Sequence, residues 1–504
     1  MENGTTYEKI NHAKKTSGFV RLHKFFEFQK APYMTALANL ERFGCHALLH
    51  DMGTGKTMTT LYLYDELLNH GMVDHMVVVA PKMLMETWVD QLNEHLGTTR
   101  YLKWKTPVSK AYARELACFD TKHGNVFIIN TEAFQSRGTT VADTFLKKLC
   151  LNRRVLVVVD ESSKIKTHDA NRTRNIIDLG GIARFRMILT GTEVTNSVLD
   201  LYSQYEFLQH GFWGLKNFYV FRARYAIMVD QYGPGGRTFK KVVGFQQTDE
   251  LKAKIMTVST RLKKSDCLDL PAKMYQTIHL EMSKELRDLY DKMKKDLMAE
   301  YAGVELTVAN KAALFVRFRQ LSGGFFPGTH GESAAIKENN KLDALLDDLE
   351  DTDQQAIVWA CFTAEIDLLS SRLAGIGWTG RLDGTTSQEN RNGVVKSFVA
   401  GETRFLVANP AVAAYGLNLQ CCSLAYWYSA PLSPEQRWQG EDRQHRIGQV
   451  NQVLYKDFVY KNSVDERVAQ LLKEKTKLRE EFREYKSPDA ELAAMSKDEF
   501  FELF

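Results

Sequence analysis

The sequence of 504 residues is short of the features that would assign it to a special class. Its seven cysteines (Cys45, Cys118, Cys150, Cys267, Cys361, Cys421, Cys422) are odd in number, scattered, and form no C-x-x-C pair. That pattern argues against a disulfide scaffold and a zinc ribbon, and for a reducing compartment. Ten prolines and 32 glycines are too few for a collagen-like or low-complexity chain. No uncharged apolar run approaches the ~18 residues that a membrane span needs. The N-terminal MENGTTYEKINHAKK has no apolar centre and does not read as a secretory signal. Net charge is nearly absent too: 66 basic against 62 acidic residues leave +4, no excess that would mark a nucleic-acid binder. Any DNA contact has to come from local arrangement. What is present is 44% hydrophobic and 25% charged residues, an ordinary globular mix too apolar for wholesale disorder. At ~150 residues per domain the length suggests about three units, or two large ones.

Short apolar runs alternate with helical stretches over the first half: HMVVVAP (75–81), NVFIIN (125–130), RVLVVVD (154–160) and RMILTGT (186–192). Runs that are apolar throughout predict strands buried on both faces, hence βαβ units around a parallel sheet. Two long charged stretches, TDELKAKIMTVSTRLKK and SKELRDLYDKMKKDLMAEY, have helical period and interrupt the pattern. A second series follows: QAIVWACF (355–362), WTGRLDG (378–384), RFLVANP (404–410), LAYWYSAP (424–431) and VLYKDFVY (453–460). The expected organisation is a polar tail over 1–24, a first α/β lobe over 25–258, and a helical protrusion with linker over 259–335. A second lobe over 336–464 and an amphipathic helix with an acidic tail over 465–504 complete it.

Three motifs carry chemistry. Asp51-Met52-Gly53-Thr54-Gly55-Lys56-Thr57 follows the apolar run CHALLH. A strand, a Gly-rich turn and a helix start form a phosphate cradle. Gly53 and Gly55 let backbone N–H groups approach phosphate, Lys56 reaches the β- and γ-phosphates, and Thr57 offers its hydroxyl to Mg2+. His50 stands at the first position of that pattern, where glycine is usual. The second motif, Val157-Val158-Val159-Asp160-Glu161, delivers two carboxylates at the end of a buried strand, where open α/β sheets bind ligands. Asp160 suits the Mg2+ shell and Glu161 suits orienting and deprotonating water. The third, Gln439 to Gln449, places Arg443 and Arg446 three apart. On a helix they share a face and can both aim at a γ-phosphate.

Other residues read two ways. His46 and His50 have the spacing of metal ligands on a helix, but they lie on the expected strand. Phe25, Phe26 and Phe28 suit stacking on adenine or packing in a core. The basic run Lys252, Lys254, Arg261, Lys263 and Lys264 suits tracking phosphates or solvating a helix face.

In order along nearly the whole chain, about 25 to 480, these motifs resemble those of the sucrose-non-fermenting-type (Snf-type) DNA translocases of helicase superfamily two. FEFQKAPYMTAL, VVVAPKMLMETWVDQL, NTEAF, VVVDESSKIK, LTGTEVTNSVLDL, STRLKKSDCLDLPAK, WACFTAEIDLL, RLDGTTSQENR, YGLNLQ and GEDRQHRIGQ fall where that family has its successive motifs. DFVYKNSVDERVAQLL resembles a C-terminal brace that packs back on lobe one. Glu193 in place of a proline, Ala411, Ala413 and Ala414 before YGLNLQ, and Ser162-Ser163 after Asp-Glu depart from the family pattern. The resemblance implies two tandem RecA-like α/β lobes with helical insertions and an ATP site in the cleft between them. ATP would be held by Gln29 (reading adenine), Met52 to Thr57, Gly416, Arg443 and Arg446. It further implies DNA grips at Lys82, Asn130 and Thr131 on lobe one, and at Thr363, Asp383 and Gly384 on lobe two.

The activity so implied is Mg2+- and ATP-dependent movement on duplex or branched DNA, by a minimal motor of bacterial or phage type. A monomer in the cytoplasm is expected, or in the nucleus if the source is eukaryotic. Phe500, Phe501 and Phe504 in the acidic tail suit a protein partner. The rival readings are a strand-separating DNA or RNA helicase, a non-catalytic DNA-binding scaffold, and a motor subunit of a larger complex.

Overall fold

The computed structural model describes residues 21–97, 100–119, 124–136, 140–191, 197–232, 238–300, 308–327, 333–413 and 417–481. The tail before Arg21, the acidic tail with its three phenylalanines, Glu193, Ala414 and Gly416 lie outside the described residues. The chain divides into two compact units, Met1–Cys267 and Leu268–Phe504. No helix among the described residues is long and apolar enough to cross a membrane.

The first unit is built on a seven-stranded sheet in the order β3-β4-β2-β5-β6-β1-β9. Its strands are β1 (Cys45–His50), β2 (His75–Ala80), β3 (Tyr101–Lys103), β4 (Val126–Asn130), β5 (Val155–Asp160), β6 (Phe185–Thr190) and β9 (Ser259–Leu262). Every pairing is parallel. Parallel strands need crossovers, and helices supply them. β1, β2 and β5 are buried at every position, so both faces are covered. Alternation then sorts the residues. Cys45, Ala47, Leu49, Val77, Val79, Val155, Val157 and Val159 share one core with the helices Val141–Asn152, Asn171–Ile182 and Leu201–Leu208. Outside the sheet, β7 (Ala226–Tyr232) and β8 (Thr238–Phe245) pair antiparallel as a ribbon.

The second unit has a six-stranded parallel sheet in the order β10-β17-β16-β13-β15-β14. Its strands are β10 (Lys273–Leu280), β13 (Ala356–Trp359), β14 (Thr379–Leu382), β15 (Phe405–Ala408), β16 (Leu424–Trp427) and β17 (Val453–Tyr460). The apolar runs again split by period two. Ala356, Val358, Phe405, Val407 and Tyr426 fill one core, and Ile357, Trp359, Leu406, Ala408, Ala425 and Trp427 the other. A short pair, β11 (Phe325–Pro327) and β12 (Ser333–Ala335), runs antiparallel. The two parallel sheets flanked by helices are the fold class expected from the sequence.

Two details differ from the sequence reading. The range 259–335 supplies β9 to the first sheet and β10 to the second, besides its helices. The charged stretch 248–264 therefore breaks into a helix, Thr248–Met256, and β9, and its basic residues share no single face; Lys264 is buried. The helix Val464–Glu481 packs Val464 and Val468 with Leu286, Tyr290, Leu314 and Phe318 of its own unit.

Close helix packing in the first unit rests on Gly180. A Cβ there would stand 2.7 Å from the Phe207 ring and 2.9 Å from the Phe207 carbonyl oxygen. Gly180→Ala is expected to destabilise by about 1–3 kcal/mol through overpacking. Gly181→Ala meets nothing within 4 Å and should be neutral or stabilising by up to about 1 kcal/mol. Urea unfolding of both variants checks the contrast.

Candidate active site

Parallel strands put all their C-terminal ends on one edge, and β1 and β5 each end there in a polar turn. β1 runs into the loop 51–55 and then into α2 (Lys56–Asn69); α1 (Glu27–Phe43) precedes the strand. Gly53 (φ +79) and Gly55 (φ +86) take the left-handed conformation that tightens the loop. Gly55 is needed twice over, since a Cβ on it would lie 2.1 Å from Gln29 Nε2. Gln29 Nε2 donates to the Thr54 carbonyl (2.9 Å), and Gln29 Oε1 accepts from the Phe26 N–H (3.0 Å). The buried glutamine thus ties α1 to the loop. Thr54 Oγ1 donates to the Asp51 carbonyl (2.7 Å), closing the turn from within. Lys56 Nζ donates to the carbonyls of His50 (2.7 Å) and Asp51 (3.2 Å), which points its charge back over the loop. Met52 and Thr57 flank this arrangement, half-buried.

The loop is also held from β9. The Asp51 N–H donates to Leu262 O (2.9 Å), and the Lys264 N–H donates to Asp51 Oδ2 (2.9 Å). Below it, Thr260 Oγ1 lies 3.0 Å from both His46 Nε2 and His50 Nε2, and Asn39 Nδ2 lies 3.0 Å from His46 Nδ1. Burial lowers both imidazoles to a pKa of about 3, helped at His50 by the charge of Lys56. An amide donor on His46 Nδ1 leaves its proton on Nε2, so His46 donates to Thr260 and Thr260 donates to His50. The pair is a hydrogen-bonded strut. Among the described residues no group of His, Cys, Asp and Glu could hold a metal ion.

Asp160 ends β5. Its Oδ2 accepts from Trp88 Nε1 (2.9 Å) and its Oδ1 from the Glu161 N–H (2.9 Å). Burial pushes the Asp160 carboxyl above the usual range, against the Trp88 bond and the charge of Lys56. Glu161 is buried, at φ +49, a conformation non-glycine residues seldom adopt. Ser162 Oγ donates to Gln204 Oε1 (2.6 Å), fixing the turn to the helix Leu201–Leu208. Gln29, Lys56, Asp160 and Glu161 therefore belong to one edge of one sheet. The glycine cradle, the inward lysine and the buried carboxylate fit a Mg2+-bound nucleoside triphosphate. Phe25 is half-buried and packs on Tyr33 and Tyr62, whereas Phe26 stacks on Phe28 (5.6 Å) and is 50% exposed beside Gln29.

The second unit holds the arginines. The helix Pro434–Gln444 carries Arg443 in its last turn and ends at His445. Arg446 lies beyond it, so the shared helix face expected of the two does not exist. They are gathered by the segment 417–419 instead. Leu419 N–H donates to Arg443 O (3.0 Å), and Arg446 Nη1 donates to Leu417 O (3.4 Å) and to Asn418 Oδ1.

Of the residues expected to grip DNA, Lys82 and Thr363 are exposed, each at the start of a helical segment. Asn130 ends β4 and donates to Glu132 Oε2 (3.0 Å). Thr131 is fully buried. Asp383 is 2% exposed, and its Oδ1 accepts from Thr385 Oγ1 (2.7 Å) and the Thr385 N–H (3.0 Å). Burial works to raise its pKa, but Arg381 and these donors hold it well below the carboxylate range. That carboxylate is spent on its own loop, which leaves Gly384 open, with nothing within 4 Å of its Cβ position. Sequence reasoning missed Thr260 and Gln204, whose polar types carry no local signal, and read Lys264 only as part of a basic run. It noted Trp88 without its bond to Asp160.

Comparison with known proteins supplies the rest. A SNF2-related domain matches residues 30–321, and a helicase conserved C-terminal domain matches residues 337–448. A probable chromatin-remodeling complex ATPase chain of Oryza sativa is 25% identical over 86% of this chain and 38% of its own length. The ATP-dependent helicase fft3 of Schizosaccharomyces pombe is 24% identical over 86% and 54%. An uncharacterized ATP-dependent helicase of Mycoplasma genitalium is 23% identical over 86% and 39%. The chain thus spans about two-fifths to one-half of the length of these relatives. The SWI2/SNF2 ATPase core of Sulfolobus solfataricus, solved in complex with dsDNA, aligns over 96% of this chain and 97% of that one. It does so at 18% identity and a TM-score of 0.43.

The histidine strut sets an acid limit. Unfolded, each ring titrates near its ordinary 6.5; folded, near 3. Between those values the unfolded chain binds more protons, so stability falls as pH falls. Each ring should cost about 2 kcal/mol between pH 7 and pH 5. Urea midpoints across that range should flatten in the double variant His46→Gln/His50→Gln; an unchanged slope would place the titration elsewhere.

Proposed function

We propose that this chain, which belongs to the SNF2-related family, hydrolyses ATP to drive its own movement along double-stranded or branched DNA. The observation that carries the reading is the single edge of the first sheet that gathers Gln29, Lys56, Asp160 and Glu161 around a glycine cradle. Family membership adds the substrate class: relatives bear the names of ATP-dependent helicases and of a chromatin-remodeling ATPase.

In this reading the loop N–H groups and Lys56 neutralise the triphosphate, and Lys56 gives up the His50 carbonyl to do so. Gln29 exchanges a bond within the loop for one to the base, so occupancy by adenine is felt by the loop itself. Thr57 and Asp160 are the residues that would hold Mg2+, which when bound spreads phosphate charge. Glu161 orients and deprotonates water, and its strained backbone fixes where the carboxylate starts. Arg443 and Arg446 stabilise the charge that develops on the γ-phosphate, a contribution on the order of 10³-fold for an arginine finger. DNA contacts through Lys82, Asn130, Thr363 and the open loop at Gly384 go to phosphate and sugar. Sequence preference should be weak and salt dependence strong.

The test is ATP turnover with no nucleic acid, single-stranded DNA, duplex DNA, branched DNA and RNA, at two salt concentrations. Duplex or branched DNA is expected to stimulate most, and less at high salt. Stimulation by single strands or RNA alone would make the protein a strand-separating helicase. Lys56→Ala should lose turnover and nucleotide affinity together, whereas Glu161→Gln should lose turnover by at least about 10²-fold while keeping affinity. Equilibrium binding of a fluorescent ATP analogue separates the two.

A further inference from the structure

The helix Pro434–Gln444 lies on its sheet through one stripe, Arg437, Gly440, Glu441 and Gln444, spaced i, i+3, i+4 and i+7. Gly440 lets the backbone approach the indoles; a Cβ there would stand 3.2 Å from Trp427, itself stacked on Trp359 (5.2 Å). Arg437 lies over the Trp427 ring (4.3 Å) and donates to Asp457 Oδ2 (2.9 Å) and Glu441 Oε1 (2.6 Å). Those bonds seat the middle of the helix. They leave open what seats its last turn, where Arg443 sits and from which the chain runs on to Arg446.

That turn is held by the segment Pro271–Tyr275, which opens the second unit and enters β10. Lys273 Nζ lies 3.2 Å from Glu441 Oε2 and 3.3 Å from Asp442 Oδ1. Tyr275 Oη donates to Glu441 Oε2 (2.8 Å). His445 Nε2 lies 2.8 Å from the Pro271 carbonyl, and Tyr455 Oη donates to the Glu441 carbonyl (2.8 Å). Glu441 is 2% exposed, so its charge persists only because Arg437 and Lys273 outweigh the burial that would raise its pKa. The same carboxylates hold Lys273 protonated against its own burial. A buried charge is intolerant of a lost partner, so helix turn and segment move as one body.

We propose that Lys273 and Tyr275 are positioning residues for Arg443 and Arg446. The segment 271–275 sets where the last turn sits, and displacement of the chain entering the second unit is passed to the two guanidiniums. The inference rests on the reading that those arginines act on ATP. Lys273 acts through Glu441 and Asp442, and Tyr275 through Glu441.

The experiment uses the full chain with saturating duplex DNA. It compares Lys273→Met, Lys273→Arg, Tyr275→Phe and Arg446→Ala by kcat, KM for ATP and urea midpoint. Lys273→Met should lower kcat by about tenfold or more with KM within about twofold, the signature of a lost transition-state contact. Lys273→Arg, which keeps the charge, should recover kcat to within about threefold of wild type. Tyr275→Phe, which takes one donor from Glu441, should lower kcat by about threefold or more with KM within about twofold. If Arg446→Ala loses kcat while Lys273→Met and Tyr275→Phe keep it, the positioning role is overturned and the arginine reading stands. If kcat, KM and midpoint fall together without rescue by arginine, the cluster is only a clamp and the proposal is overturned. If Arg446→Ala keeps wild-type kcat, the arginine reading fails and takes this inference with it.

Discussion

β1 is hydrogen-bonded on both of its edges, by β6 and by β9, and it stops where the glycine loop starts. A buried strand cannot leave main-chain donors and acceptors unmet, so the pairing with β9 is obligatory once β1 is in the core. Everything the loop does hangs from it. The ladder continues past the strand through Asp51 N–H to Leu262 O, and Lys264 N–H then takes the Asp51 side chain. The loop is suspended between a strand on one side and Gln29 of α1 on the other. His46, Thr260 and His50 stiffen the same pairing with side chains, in a place where most parallel sheets carry only hydrocarbon.

The second unit joins its elements through buried charge. Lys341 is 1% exposed and pairs with Asp465 (2.6 Å), which also accepts from Ser322 Oγ (2.8 Å). Glu365 is fully buried and accepts from Ser429 Oγ (2.5 Å) and from the N–H groups of Cys361 and Phe362. Arg437, Glu441 and Asp457 form a third such group. Burying ions gains little net stability, because desolvation offsets the attraction. What it gives is geometry: each group joins elements far apart in sequence at one defined distance. The helix Val464–Glu481 is joined in this way to Val308–Ser322 and to the helix Asn340–Glu350.

The parts of this molecule that were legible in the sequence are those whose physics is local. A continuous run such as VLVVVD has one stable use, a strand covered on both sides, and a glycine pair before Lys56-Thr57 has few. Hence both sheets, the loop and the Asp160-Glu161 turn could be read directly. β9 could not, because Ser259-Thr260-Arg261-Leu262 has no apolar pattern and becomes a strand only by pairing with β1. β10 is largely exposed at an edge, so burial left little mark on its composition. The ribbon of β7 and β8 went unread although two β-branched runs flank Gly-Pro-Gly-Gly, a turn signal. The end of the arginine helix at Gln444 was missed because nothing in Gln444-His445-Arg446 breaks a helix on propensity alone. Tertiary bonds from Pro271 and from 417–419 terminate it.

The contact between Gln29 and Gly55 has an implication for how such a loop can change over time. The glutamine amide occupies the space that any side chain at 55 would fill, and it caps α1 through Phe26 with its other end. Two positions 26 residues apart are therefore one steric decision. A side chain at 55 would have to displace that amide and also adopt a left-handed backbone, so no change at 29 alone releases the glycine, and the helix before the first strand is bound to the loop by a contact that only glycine permits.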